Sequence, residues 1–131
     1  MKEDRREVRT EAAPAPVGPY SQAVVHAGLV YASGQIPIDP ATGALVSGDI
    51  EVQAERVFAN LRAVLEAAGS SFAGLLRVSI YLADLSLFPR VNEVYARQLG
   101  GGPKPARSTL GVAALPLGAA IEVDAVALVE A

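Results

Sequence analysis

Residues 49–83 read DIEVQAERVFANLRAVLEAAGSSFAGLLRVSIYLA, and the spacing of their apolar side chains changes partway along. Up to residue 68 the spacing is helical: Ile50, Ala54, Val57, Phe58, Leu61, Leu65 and Ala68 recur at intervals that place them on one face. Asp49 is positioned to cap the helix by accepting from free N–H groups of its first turn. Gly69 can supply the left-handed residue that stops it. Glu55, Arg56, Arg62 and Glu66 are expected to face water. From Leu76 the period becomes two, with Leu76, Val78, Ile80 and Leu82 in one phase and Arg77, Ser79, Tyr81 and Ala83 in the other. A helix with one greasy stripe, followed closely by a strand with one greasy face, buries both by packing helix on sheet.

Working outward, residues 87–99 read as a second helix with Phe88, Val91, Tyr95 and Leu99 on one face. Ser86 suits its cap, and Pro89 falls in the first turn, where its missing N–H does no harm. Gly100-Gly101-Gly102-Pro103 ends it. Two more strands follow, 107–112 and 121–129, separated by Leu115-Pro116-Leu117-Gly118. Upstream, 22–26 and 29–33 flank Ala27-Gly28 as a tight hairpin. The stretch 35–48 is rich in Pro and Gly and turns at residues 39–43. Prolines keep 12–16 extended. This order predicts one domain over residues 1–131, an α+β two-layer sandwich with two helices on one face of a single mixed sheet. Strands 76–83 and 107–112 are expected to join through the second helix as a crossover. Strand 121–129 is apolar in both phases, which implies burial on both sides. The second face of the sheet is therefore expected to meet other copies of the chain.

Composition narrows the chemistry. With 51% hydrophobic and 19% charged residues the chain has ample material for a core. A net charge of -3 gives no basic footprint for nucleic acid. The charged run 2–9 mixes signs and reads as a solvated segment or an edge strand. No cysteine is present, so disulfides and thiolate chemistry are excluded. The single histidine, His26, reads as a hairpin residue and cannot build a multi-histidine metal site. No apolar run is long enough for a membrane helix, and the charged beginning lacks the apolar stretch of a secretory signal. A cytoplasmic location is expected.

The remaining candidates are polar residues where turns meet strands. Arg107 opens a strand after a Gly/Pro stretch, where its planar fork can grip a carboxylate; the same position suits an ordinary surface arginine. Glu122 and Asp124 share a strand face with Val126 and Leu128. A carboxyl on a partly apolar face has its charged form disfavoured, which suits proton transfer, although a strand-edge acid in solvent fits the same pattern. Tyr20 and Ser33 stand at turns and Asn92 mid-helix; each can position a substrate or simply face water. No GxGxxG or GxxxxGK[ST] phosphate loop is present.

In series, Gly18-Pro19-Tyr20-Ser21-Gln22-Ala23, Ser33-Gly34-Gln35-Ile36-Pro37, Val91-Asn92-Glu93-Val94-Tyr95, Pro105-Ala106-Arg107-Ser108 and Ile121-Glu122-Val123 resemble the RidA/YjgF family over nearly the whole chain, from about residue 13 to 128. The resemblance implies a chorismate-mutase-like fold and a homotrimer with clefts at subunit boundaries. It implies hydrolysis of 2-aminoacrylate and related 2-imino acids (2-iminobutanoate and 2-iminopropanoate) to 2-keto acids and ammonia, with no cofactor and no metal. The carboxylate-binding arginine falls on Arg107 and the water-orienting glutamate on Glu122. Tyr20, Ser33 and Asn92 fall in the substrate-binding set, and so does Thr109, where many members carry a cysteine. Lys104 stands where a bulky residue is common, which bears on the shape of one cleft wall. The alternatives are a specialised deaminase of a larger, aminomuconate-like substrate, a ligand-binding or chaperone-like module, and a ribonuclease or translation inhibitor. The last sits poorly with an acidic chain that has no paired histidines.

Overall fold

The computed structural model describes residues 4–130. The two helices form where the apolar period predicts. Helix α1, Ile50–Ala67, is capped by Asp49, whose carboxylate accepts from the Val52 N–H. It ends at Gly69 with φ of 87°. Helix α2 spans Phe88–Leu99 and stops at Gly100, φ 67°. Its start differs from expectation. A 3-10 turn, Leu85–Leu87, precedes it, and Asp84 accepts from the Ser86 N–H. Ser86 is thus capped and caps nothing. Its own hydroxyl donates to Asp84, because a carboxylate two residues back is the stronger acceptor.

The strands are β1 (Arg6–Val8), β2 (Ala23–His26), β3 (Leu29–Gln35), β4 (Leu75–Leu82), β5 (Ala106–Gly111) and β6 (Ile121–Leu128). They form one sheet in the order β1-β2-β3-β6-β4-β5. The mixed charged run thus contributes a short edge strand. Ala27 and Gly28 both take positive φ, as a two-residue turn between twisted strands requires. β4 and β5 are the parallel pair, joined through α2, and every other pairing is antiparallel. The last strand in the chain lies at the centre of the sheet, which explains its apolar richness.

Both helices cover one face. Ile121, Val123, Ala125 and Ala127 of β6 and Val78, Ile80 and Leu82 of β4 are buried there with Val57, Leu61, Val64, Leu65, Val91 and Val94. Each of the Val, Leu and Ile side chains contributes about 1.5–3 kcal/mol on burial. Phe72 and Tyr95 pack against Phe58 at centroid distances of 6.5 and 5.8 Å. Arg56 and Arg62, expected in water, are half-buried. Arg62 lies over the Phe72 ring at 4.3 Å, its stem covering apolar surface. The opposite face of the sheet carries no helix. It presents Glu122, Asp124, Val126 and Leu128 of β6 beside Tyr31, Tyr81 and Leu110, and Tyr31, Leu110 and Leu128 are each nearly half exposed. Among the described residues no helix is long and apolar enough to cross a membrane.

Candidate active site

The expected site residues, Thr109 excepted, line two separate clefts. The first, of about 440 Å³, has Glu122, Ser33, Gly34 and Gln35 on one side. Tyr20, Val17, Pro14 and Leu117 bound the other. A bulge explains how a glutamate from the centre of the sheet reaches a cleft. The β3–β6 register shifts between Ala32 and Gln35, so Ser33 and Gly34 bow out of the ladder. The Glu122 carboxyl occupies the room this leaves. A Cβ placed on Gly34 would stand 2.8 Å from Glu122 Cδ and closer still to its Oε2.

Burial in this cleft pushes the Glu122 carboxyl above the usual glutamate range, and the neighbouring Asp124 carboxylate pushes it further the same way. Asp124 itself accepts a 3.0 Å hydrogen bond from the Tyr81 hydroxyl. That bond, with burial, raises the Tyr81 phenol. Ser33 donates its hydroxyl proton to the Ser21 carbonyl at 2.7 Å, so toward a ligand it can only accept. Tyr20 is half exposed on the rim, its hydroxyl oxygen accepting from the Val17 N–H.

The second cleft, of about 370 Å³, lies where β5 meets α2 and is lined by Arg107, Asn92, Tyr95, Ala96, Leu99, Lys104 and Pro105. Arg107 is no loose surface arginine. Its Nη1 donates to Asn92 Oδ1 at 2.6 Å, and its guanidinium carbon stands 4.9 Å from the Tyr95 ring and 5.1 Å from that of Phe88. The two rings and the amide fix the plane of the fork, and its remaining donors can take a carboxylate in parallel. Burial raises the Tyr95 phenol, with the arginine's charge pulling the other way. Lys104 turns its ammonium back onto the carbonyls of Gly100 and Gly102, so it lines this cleft with its stem. Thr109 lies two residues on from Arg107, on the same side of β5. Its hydroxyl is buried and has no hydrogen-bond partner.

One chain does not bring Arg107 and Glu122 together. Glu122 pairs with Tyr81, and Tyr81 pairs with Leu110. Arg107 lies further back along the same strand, so the two are separated by roughly 10 Å across the strands and roughly 10 Å along them. They also point to opposite faces: Arg107 pairs with Val78 on the helix side, and Glu122 stands on the open side. His26, in the β2–β3 hairpin, lines neither cleft. The sequence reading overlooked Phe88 and Tyr95 as the stack for Arg107, Gly34 as the space for Glu122, and two buried amides, Gln22 and Asn60. A lone asparagine on the apolar stripe of α1 was the available signal for the last.

Known proteins share this fold and much of this sequence. The sequence profile of the family described as "Endoribonuclease L-PSP" matches residues 10–129. Protein DfrA of Myxococcus xanthus is 52% identical over 126 residues, 95% of either chain. The human 2-iminobutanoate/2-iminopropanoate deaminase is 44% identical over 124 residues, covering 95% of this chain and 90% of its own. The crystal structure of YyfA from Yersinia pestis, a protein of the conserved Rid family, superimposes with a TM-score of 0.94 at 43% identity, covering 96% of this chain and 100% of that one. The chain therefore belongs to the RidA/YjgF family, the family its motifs resemble, known also by the endoribonuclease L-PSP description.

Proposed function

We propose that this protein hydrolyses 2-aminoacrylate and related small 2-imino acids to 2-keto acids and ammonia, at sites completed by a second copy of the chain in a homotrimer. The observation that carries the reading is the pair of half-sites: a stacked, oriented guanidinium in one cleft and a desolvated carboxyl in the other. Each is suited to one part of the same small substrate. Relatives named as 2-iminobutanoate/2-iminopropanoate deaminases support the reaction class.

Arg107 clamps the substrate carboxylate with two parallel hydrogen bonds, which fixes the adjacent C=N carbon of the 2-imino acid, the tautomer 2-aminoacrylate becomes when its methylene carbon gains a proton and its nitrogen loses one. Thr109, two residues on from Arg107, stands in the substrate-binding set by the family's motif, its hydroxyl buried outside the cleft lining. Glu122 takes a proton from a water molecule as its oxygen bonds to that carbon, then returns the proton to nitrogen. The hydroxyl proton of the resulting carbinolamine passes to nitrogen by the same carboxyl. The C–N bond then breaks, ammonia leaves, and the C=O bond forms. A carboxyl whose proton affinity is raised by burial suits both directions of transfer. Ser33, Tyr20 and Asn92 hold the surroundings: Ser33 accepts from substrate N–H or water, and Asn92 holds the arginine. An imine carbon is electrophilic without assistance, so these groups suffice.

Two copies are needed because one chain presents the carboxylate clamp and the carboxyl on opposite faces. The uncovered sheet face, with Tyr31, Leu110 and Leu128, is the surface such an assembly would bury. RNA cleavage fits less well, since the chain carries a net charge of -3, with no basic footprint, and a single histidine. The test is the decay of 2-aminoacrylate, generated in situ from serine by a dehydratase, with and without the protein. Faster pyruvate release, lost with Arg107→Ala, is expected. Unchanged decay with a folded, assembled protein overturns the proposal for small substrates.

A further inference from the structure

The Glu122 cleft has walls that are neither helix nor strand. One is the run through Pro14 and Ala15; the other contains Ile36 and Ile38. Prolines at 14, 16, 37 and 40 deprive these runs of N–H donors. Their carbonyls must find donors elsewhere, because a buried carbonyl without a partner is costly. Backbone N–H groups meet two of them, Ile38 donating to Ile36 at 2.7 Å and Val46 to Pro37 at 2.9 Å, and two side-chain amides supply the others and a second donor to Ile36. Gln22, 3% exposed, donates from Nε2 to the carbonyls of Thr10 at 3.0 Å, Pro14 at 2.9 Å and Ala13 at 3.3 Å. Its Oε1 accepts from the Thr10 N–H at 2.7 Å. Asn60 is fully buried on α1 and donates from Nδ2 to the carbonyls of Ile38 at 2.9 Å and Ile36 at 3.3 Å. Its Oδ1 accepts from Arg56 Nε at 3.1 Å.

Each amide is thus saturated, and every bond but one goes to the backbone of a cleft wall or the segment leading into it. Only an uncharged amide offers two N–H donors and an acceptor together. Resting on the deaminase reading above, we infer that Gln22 and Asn60 are positioning residues that set the spacing of the two walls around Glu122, and so decide how tightly, and with what side-chain length, a 2-imino acid is held. They touch the substrate's surroundings and leave the proton transfer to Glu122. Their loss therefore acts on substrate binding more than on turnover, and acts more on long side chains, which reach the walls.

The informative changes are Asn60→Asp and Gln22→Glu. Each keeps shape and acceptor but replaces the N–H donors with oxygen facing carbonyls. Once the introduced carboxyl is protonated it offers a single O–H in their place. Kinetics are measured on the full-length assembled protein, using 2-imino acids made in situ from alanine and from leucine by an amino-acid oxidase. At neutral pH, KM is expected to rise about tenfold or more, further for the leucine-derived imine, with kcat within about threefold. Lowering the pH should recover KM in the variants relative to the unchanged protein. A fall in melting temperature with KM unmoved, or a loss confined to kcat, overturns the inference.

If the unchanged protein does not accelerate either imine, the deaminase reading fails, and the brace is judged on hydrogen exchange instead. Amides of Ala15, Val17, Ile36, Ile38 and Asp39 must then exchange faster in the variants while those of β4 and β6 do not. Equal protection throughout overturns it. Should Asn60→Asp fail to fold, Gln22→Glu carries the same test at the other wall.

Discussion

Gly34 and Glu122 share one volume: the Glu122 carboxyl fills the space where any larger residue at position 34 would place its Cβ. The backbone at Gly34 is not in the left-handed region, so the glycine is there for room and not for conformational freedom. Gly34→Ala must either push Glu122 out of its cleft or widen the bulge. Activity is expected to fall about a hundredfold, comparable to losing a positioned general base. Circular dichroism should remain native, and a fully active Gly34→Ala would show that Glu122 has no fixed position in catalysis.

Arg107 makes a different kind of prediction. Its grip depends on a flat fork held between Asn92 and two aromatic rings. Arg107→Lys keeps the charge but neither stacks flat nor binds a carboxylate in parallel. It should lose nearly as much kcat/KM as Arg107→Ala, about 2–4 kcal/mol in either case. Rescue by lysine would reduce the role of the arginine to simple charge attraction.

The reach of the sequence follows from the range of the physics involved. Period and caps are local, so α1, the Ala27-Gly28 turn and β4 from Val78 onward are legible from neighbouring residues; Leu76, expected in the buried phase, is 42% exposed beside a bulge between Leu75 and Arg77. The two-sided apolar pattern at 121–129 implies burial on both faces; the helices cover one, and on the other Leu128 is 47% exposed in the single chain. The partners of Arg107 were not legible, because Phe88 and Tyr95 approach it only once α2 packs beside β5. Ser86 looked like a cap by residue type, yet Asp84 competes for the same N–H groups and wins by charge. The motifs point to Arg107 and Glu122, and the fold sets each of them in a cleft of its own. No local pattern reveals that they stand on opposite faces, since that depends on the registers in which β5 and β6 pair with β4.

Acidity at Glu122 links stability to pH. Its folded value lies above the ordinary one, owing first to burial and then to Asp124. The folded chain therefore holds this proton more tightly than the unfolded chain. The resulting stability is fully present below the unfolded value and lost as pH rises through the folded value. Glu122→Gln removes that loss. The variant should melt higher than the unchanged protein at neutral pH, with the gap closing in acid, while catalysis is abolished. Asp124→Asn takes away one of the two causes, so the Glu122 limb of the pH–rate profile should move to lower pH. An unmoved limb would mean that another group titrates there.

Leu117 holds a left-handed backbone, φ 58° and ψ 18°, at the rim of the Glu122 cleft, and its side chain is 67% exposed. For a leucine this conformation costs about 1–2 kcal/mol. Leu117→Asn suits the same backbone and gives up little packing in the isolated chain, so a gain of up to about 1 kcal/mol in stability is expected. KM should rise as the apolar rim is lost. If melting temperature falls instead, Leu117 is packed against a neighbouring copy.

A site built from two copies has a signature in mixtures. Arg107→Ala retains Glu122, and Glu122→Gln retains Arg107, so each alone should be inactive. When the two are unfolded together and refolded at equal amounts, subunits assort at random. A site drawing Arg107 from one copy and Glu122 from another is then intact about one time in four. Close to a quarter of the original activity should return, and native mass spectrometry should find mixed assemblies. The separation of the two residues in a single chain makes this outcome sharp, because a site confined to one copy gives no recovery however the subunits mix. Mixed trimers without activity would place the complete site within one chain and contradict the opposite facing of Arg107 and Glu122 as the basis of the mechanism.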